Sequence, residues 1–321
     1  MKITEWFRRR AKPDKGGKAE PEADKSTAAR RDSPSTAPSP TTPEIVELSL
    51  GKYRLEPFTE GGICVVMKGF PLESGKPKLA VKLVREQWLN HAAVRRQFSN
   101  ESQIVRELNH PYLPKYSARG LIGQQAYYAY EFIEGFPLIN LSQEQGRFPP
   151  ELVKQLAVNI IRQLLEQLDH LHNGLKPVIH GDISSENILI DPQQHIYLVD
   201  FGCAHFLRQA NKESYQWIAK PSFISPEQAK GETWDQRSDL YQAGILFYEL
   251  LTNRRWNEGR SKRDKVLFAA SAVRQKDDFL CPTVDRPTSA VVAKLLDPNP
   301  DSRFQTAKET ILALDQLRQT G

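Results

Sequence analysis

The chain has 321 residues, 39% hydrophobic and 26% charged, enough apolar material for a substantial core and near the length at which one core stops growing. Its 44 Lys and Arg against 39 Asp and Glu leave a net charge of +5, a mixed surface rather than the polycation that nucleic-acid binding asks for. Three cysteines, Cys64, Cys203 and Cys281, include no close pair, which argues against a disulfide scaffold or a tetrahedral metal site and points to a reducing, cytoplasmic setting.

At the start of the chain, Trp6 and Phe7 precede Arg8, Arg9 and Arg10 with no apolar run behind them, so the segment fails as a secretory signal. It reads as a solvated or partner-binding tail, with contact to a membrane surface as the alternative. No stretch reaches the roughly 18 to 20 uninterrupted apolar residues of a spanning helix. Residues 12–47 are mainly Pro, Ser, Thr, Ala, Lys and Glu, too polar to offset the entropy of ordering a chain, and predict a disordered tail over 1–49 with order beginning near Leu50.

Extended segments are expected at 53–58, 64–70, 78–84, 120–122 and 126–132, interrupted by one helix over 92–108 on which Val94, Phe98, Ile104, Val105 and Leu108 recur at near-helical spacing. After Gly135 the pattern changes. An amphipathic helix over 151–172 carries Leu152, Leu156, Ile160, Leu164, Leu168 and Leu171 on one stripe. Strands at 188–190 and 196–199 bracket a turn at Asp191-Pro192, and further helices follow, notably at 239–251 and 290–296. A sheet-rich part joined near 131–135 to a helix-rich part predicts an α+β chain of two lobes, 50–134 and 135–321, with a cleft between them.

The most informative segment is His180-Gly181-Asp182-Ile183-Ser184-Ser185-Glu186-Asn187, followed by a strand pair and Asp200-Phe201-Gly202. A loop carboxylate, an amide five residues on and a second carboxylate after a hairpin are what phosphoryl transfer needs: an oriented acceptor hydroxyl and bound cations. In this order and spacing the sequence resembles the protein-kinase superfamily, and within it the eukaryotic-like Ser/Thr kinases of bacteria. The resemblance covers about 53–317. It implies a bilobal fold with a small β-rich N-lobe holding one key helix and a larger helical C-lobe, with ATP and Mg2+ as cofactors and a protein as substrate.

On that resemblance Asp182 orients the hydroxyl, Asn187 and Asp200 bind magnesium, Lys82 in Ala80-Val81-Lys82 grips the phosphates, and Glu101 is its ion-pair partner. Tyr130 takes the gatekeeper position, the backbones of Glu131 and Ile133 face the adenine edge, and Val66, Ala80 and Leu189 sandwich the ring. Val105, Tyr116, His180 and Phe201 form the regulatory stack. Ser225-Pro226-Glu227 closes the activation segment, Asp239 begins the large buried helix, and Arg303 is the partner of Glu227. These last features are generally lacking in small-molecule kinases, whose catalytic loops the His-Gly-Asp triplet also resembles.

Several positions depart from the family pattern. At the three glycine positions of the phosphate loop stand Thr59, Gly61 and Cys64, and Gly181 replaces the arginine that reads a phosphorylated activation loop. The latter predicts activity that survives substitution of Ser214 and Tyr215. Ser184 stands where Ser/Thr kinases carry a phosphate-neutralising lysine, while Lys220 stands where they carry a threonine, so the two roles are expected to be exchanged, with Lys220 reaching back to Asp182 and Ser184. A pseudokinase scaffold is the alternative those departures leave open. Cys64 and Cys203 fall beside the phosphates in this register, as small buried thiols or as a redox brake. The basic stretch Arg254, Arg255, Arg260, Lys262, Arg263 and Lys265 reads as a solvated face or a dock for an acidic partner.

Overall fold

The computed structural model describes residues 44–72, 74–142, 148–207, 220–271 and 284–319. Strands β1 (Glu44–Leu48), β2 (Gly51–Glu60), β3 (Cys64–Pro71), β4 (Leu79–Val84), β5 (Tyr116–Ile122) and β6 (Gln125–Glu131) form one antiparallel sheet in the order β1-β2-β3-β4-β6-β5. Order therefore begins before the expected Leu50. Val46 and Leu48 of β1 are buried and Ile45 is exposed, a two-fold alternation too short to read behind a Pro-rich stretch, and pairing with β2 supplies the stability the segment lacks alone. The remainder of the expected tail, and Ser214, Tyr215 and Cys281, lie outside the described residues.

Every residue of β4 is buried, and its alternation splits the strand's duties. Leu79, Val81 and Leu83 join an apolar cluster with Val46, Leu48 and Leu55, which leaves Ala80, Lys82 and Val84 on the opposite face, toward the site. Helix α1 (Ala92–Glu107) begins at His91, whose Nδ1 accepts a hydrogen bond from Val94 N, and buries Val94, Phe98, Ile104 and Val105 together with Glu101.

Beyond Gly135, whose added Cβ would stand 2.9 Å from the Ile190 carbonyl oxygen, the chain runs through β7 (Phe136–Pro137), α2 (Ile139–Ser142), α3 (Pro150–Asn173), β8 (Val178–Ile179), β9 (Ile188–Ile190), β10 (Ile196–Leu198) and β11 (His205–Phe206). Then come α4 (Pro226–Lys230), α5 (Gln236–Thr252), α6 (Lys262–Ser271), α7 (Arg286–Leu295) and α8 (Ala307–Gln319). The leucine stripe of α3 packs on α5 and α8 in the main core, so the two-lobed arrangement expected from the sequence is present. Ser225 caps α4 in a reciprocal box with Gln228, with Pro226 in the first turn, so Ser-Pro-Glu is a helix start that delivers Glu227. Helix α5 starts earlier than Asp239 because Asp235 caps it, accepting from Arg237 N. Asp239 is thereby placed in the first turn, fully buried.

Candidate active site

Two charged clusters face each other across the cleft. In the first, Lys82 Nζ lies 2.6 Å from Glu101 Oε1 and 2.8 Å from Asp200 Oδ1, joining β4, α1 and the loop after β10. Burial opposes the Lys82 charge, but Asp200 and Glu101 outweigh it and hold its pKa well above the ordinary lysine value. The Lys82 ammonium in turn holds the Asp200 carboxyl far below the usual range. Burial pushes Glu101 upward against the pull of Lys82. Asp200 adopts φ +64°, a strained left-handed backbone for a non-glycine, of a kind that persists where surrounding contacts impose it.

The second cluster is built on the loop between β8 and β9. Asn187 Nδ2 donates to both Asp182 O and Asp182 Oδ2 at 2.8 Å, while Lys220 N donates to Asp182 Oδ1 at 2.9 Å. The Lys220 ammonium reaches the same loop: Nζ is 2.9 Å from each of Ser184 Oγ, Asn187 Oδ1 and Glu186 Oε2. Burial raises the Asp182 pKa above the ordinary aspartate value, and Lys220 opposes the rise. A backbone bond from Val199 N to Asn187 O sets this loop beside the residue preceding Asp200, so Lys82, Asp182, Asn187 and Asp200 share one cleft.

Helix α5 fixes that loop from below. Asp239 accepts from His180 N at 2.9 Å, Gly181 N at 2.7 Å and the His172 ring at 2.9 Å; Gln242 accepts from Ile183 N at 2.8 Å and donates to Gly181 O at 2.9 Å. Gly181 has φ +74°, and a Cβ there would stand 2.4 Å from the Trp234 ring, so an aromatic fills the space where the family carries an arginine side chain. His180 and Phe201 meet edge to face at 4.8 Å. Val105 and Phe201 lie in the main core with Tyr116 packed against it. Burial keeps the His180 ring below the ordinary imidazole pKa, which suits its neutral role of facing Val199 O with Nε2 and accepting from Asp182 N at Nδ1.

On the nucleotide side, Ala80 is buried and Val66 and Leu189 are half-buried. The register sets Val66 opposite Lys82, and Ala80 opposite Tyr130. Glu131 N donates to Lys115 O at 2.9 Å, so any part it takes in binding adenine falls to its carbonyl; Ile133 follows in the connection to the second lobe. The turn between β2 and β3 is tight, with Gly61 N donating to Cys64 O at 2.9 Å and Thr59 paired opposite Val66. Burial pushes the Cys64 thiol up to about 12 and Cys203 well above its ordinary value, so neither is poised as the thiolate a redox brake needs.

Three contributors are absent from the sequence reading. Tyr128 OH donates to Glu101 Oε1 at 2.8 Å; Gln97 Nε2 donates to Gly202 O, and Asn100 Nδ2 to Ala204 O at 3.0 Å. Tyr128 was legible in principle, since it stands two residues before Tyr130 on one strand face, opposite Lys82. Gln97, four residues before Glu101, shares its helix face.

The donor set is oxygen-only, of the kind a hard divalent cation takes. Asp200 Oδ2 has no partner among the described residues, while Asn187 Oδ1 accepts from the Lys220 ammonium at 2.9 Å and would have to exchange that partner for an ion; no group of three or more His, Cys, Asp or Glu gathers as a metal cage among those residues. An ion that takes one or two protein oxygens and completes its shell with phosphates and water is what such a set accommodates.

A buried bidentate pair ties the second lobe together: Arg303 Nη1 and Nη2 each lie 2.8 Å from a Glu227 oxygen, with Ser238 Oγ donating to the same carboxylate. Comparison with known proteins agrees with this architecture: the protein kinase domain family matches residues 54–313, and the chain belongs to that family. Its relatives place it with the bacterial Ser/Thr kinases. It is 31% identical over 274 residues to serine/threonine-protein kinase pkn2 of Myxococcus xanthus (82% of this chain, 32% of the relative) and 32% identical over 243 residues to serine/threonine-protein kinase PknB of Mycolicibacterium smegmatis (72% and 37%). To PrkC of Bacillus subtilis it is 28% identical (72% and 35%). The chain thus spans about a third of the length of these relatives.

Proposed function

We propose that this domain transfers the terminal phosphoryl group of ATP to Ser or Thr hydroxyls on proteins. The observation that carries the reading is the meeting of Lys82, Glu101 and Asp200 within 2.8 Å in the cleft that also holds Asp182 and Asn187. Asp182 accepts a hydrogen bond from, and then the proton of, the attacking hydroxyl, whose oxygen bonds to phosphorus as the bridging P–O bond breaks and ADP leaves. Lys82 holds the phosphates, Val66, Ala80 and Leu189 sandwich adenine, and the backbones of Glu131 and Ile133 meet its edge, Glu131 through its carbonyl because its N–H is already bonded to Lys115 O. Magnesium at Asp200 and Asn187 would neutralise phosphate charge.

Lys220 supplies the positive charge that Ser184 cannot. Its ammonium already lies on Ser184, Asn187 and Glu186 and is only partly buried, so it can exchange these partners for phosphate oxygens. An acidic partner on the 254–265 stretch is a further reading: Arg255 pairs with Glu249 and Lys265 bonds Ser222, while Arg254, Arg260, Lys262 and Arg263 stay exposed. Action in the cytoplasm is proposed from the cysteine usage; no helix of the described residues is long and apolar enough to cross a membrane.

Incubation of the chain with magnesium and labelled ATP tests the assignment. Label on protein that both Asp182→Asn and Asp200→Ala eliminate is expected. Nucleotide binding without label would favour a scaffold, and label only on added metabolites would favour a small-molecule kinase.

A further inference from the structure

Of the three glycine positions in the turn between β2 and β3, only Gly61 keeps its glycine, so conformational freedom is not what moulds this loop to an anion. The loop is instead tied to the connection between β4 and α1 by three bonds. Arg85 N donates to Ile63 O at 2.9 Å, Arg85 Nη2 lies 2.8 Å from Glu60 Oε2, and the Trp88 indole N–H donates to Gly62 O at 2.9 Å. The anchor is itself fixed. Glu86–Trp88 is a single 3-10 turn, the Trp88 ring meets His91, the cap of α1, edge-on at 5.5 Å, and both Trp88 and Ile63 pack against the main core.

These bonds sort the loop's polar groups. The carbonyls of Gly62, Ile63 and Cys64 are taken by donors from Trp88, Arg85 and Gly61, whereas Gly62 N and Ile63 N have no partner among the described residues. A trans peptide sets its N–H opposite its C=O, so holding the Gly62 carbonyl on Trp88 turns the Ile63 N–H away from that ring. Two successive free amides whose neighbouring carbonyls are withdrawn are the donors that backbone nests use to bind anions. The Glu60 carboxylate, in the same loop, would repel a phosphate, and Arg85 neutralises it.

We propose that Arg85 and Trp88 are positioning residues that hold the phosphate loop in its anion-binding form, achieving by side-chain tethers what additional glycines achieve by freedom. On the reading of this cleft as a nucleotide site, which the assignment requires, affinity for the phosphates depends on two side chains that act through the loop, and affinity for the base does not. Each solvent-facing bond is weak alone; together they keep the loop in place before the ligand arrives, so less order is lost on binding.

The test is calorimetric titration of the full chain with ADP in magnesium and, separately, with adenosine, neither of which needs phosphoryl transfer. The parent should bind ADP more tightly than adenosine. Trp88→Phe keeps a ring and deletes the N–H; it should weaken ADP by about three- to tenfold and leave adenosine and the melting temperature unchanged. Arg85→Gln should weaken ADP by about threefold or more, and adding Glu60→Gln should recover the loss, because the uncompensated carboxylate is then gone. Parent-like ADP affinity in Trp88→Phe and Arg85→Gln, equal losses for ADP and adenosine, or a parent that binds ADP no more tightly than adenosine would overturn the assignment. A parent that binds ADP with these dependences yet labels no protein supports the tether and overturns the phosphoryl-transfer reading alone.

Discussion

Two ion pairs tether the segment that leads into α4, and they are built to opposite specifications. Glu227–Arg303 is bidentate and dry, with side chains 5% and 0% exposed, and Arg303 also donates to the carbonyls of Asp297, Arg237 and Pro298. Lys220–Glu186 is half open to solvent, with side chains 31% and 55% exposed, and the ammonium divides itself among three acceptors. A charge sealed among fixed partners costs too much to move and serves architecture. A charge at the lip of a cleft, shared among replaceable partners, is available to a ligand.

The contrast makes separable predictions. The largest effect belongs to the sealed pair: Arg303→Ala strands a buried carboxylate and should lower stability by about 3–5 kcal/mol, read by denaturant unfolding. Although burial favours protonation, the Arg303 bonds hold the Glu227 pKa below its ordinary value. That stabilisation is therefore present above the ordinary carboxylate pKa and is lost as pH falls through the folded value, so the variant should lose less stability on acidification than the parent. Retention of the parent's full acid dependence would refute the assignment.

Lys220→Met should leave unfolding nearly untouched yet cut kcat by roughly a hundred- to a thousandfold, as loss of a transition-state charge contact does. Burial raises Asp182 while Lys220 opposes the rise, so removing the ammonium should move the acidic limb of the pH–kcat profile to higher pH. A limb that stays in place would show that Lys220 does not act on the base. Smallest is Tyr128→Phe, which removes one charge-assisted bond to Glu101 and should cost about 1.5–3 kcal/mol or less, seen first as a raised KM for ATP rather than as unfolding.

Legibility in the sequence followed the range of the interaction. Asp182, Asn187 and Asp200 are held by a loop and a hairpin within 20 residues, so the resemblance to protein kinases that assigns them could be read from one short segment; Lys82 and Glu101 sit on a strand and a helix that the same resemblance aligns. The Lys220 position was readable because Ser184 had lost what Lys220 gained. What stayed hidden depends on tertiary approach. β1 buries Val46 and Leu48 and exists through its pairing with β2. Trp234 reaches Gly181 across 53 residues of chain, and Gln97 and Asn100 grip backbone carbonyls more than 100 residues away, contacts that leave no periodic trace.

The most direct measurement is turnover of Lys220→Thr with and without Ser184→Lys. Relocation of the transferring-phosphate cation predicts that the single substitution loses roughly a hundredfold or more and that restoring a lysine at Ser184 recovers much of it. Parent-like turnover in Lys220→Thr alone would contradict it.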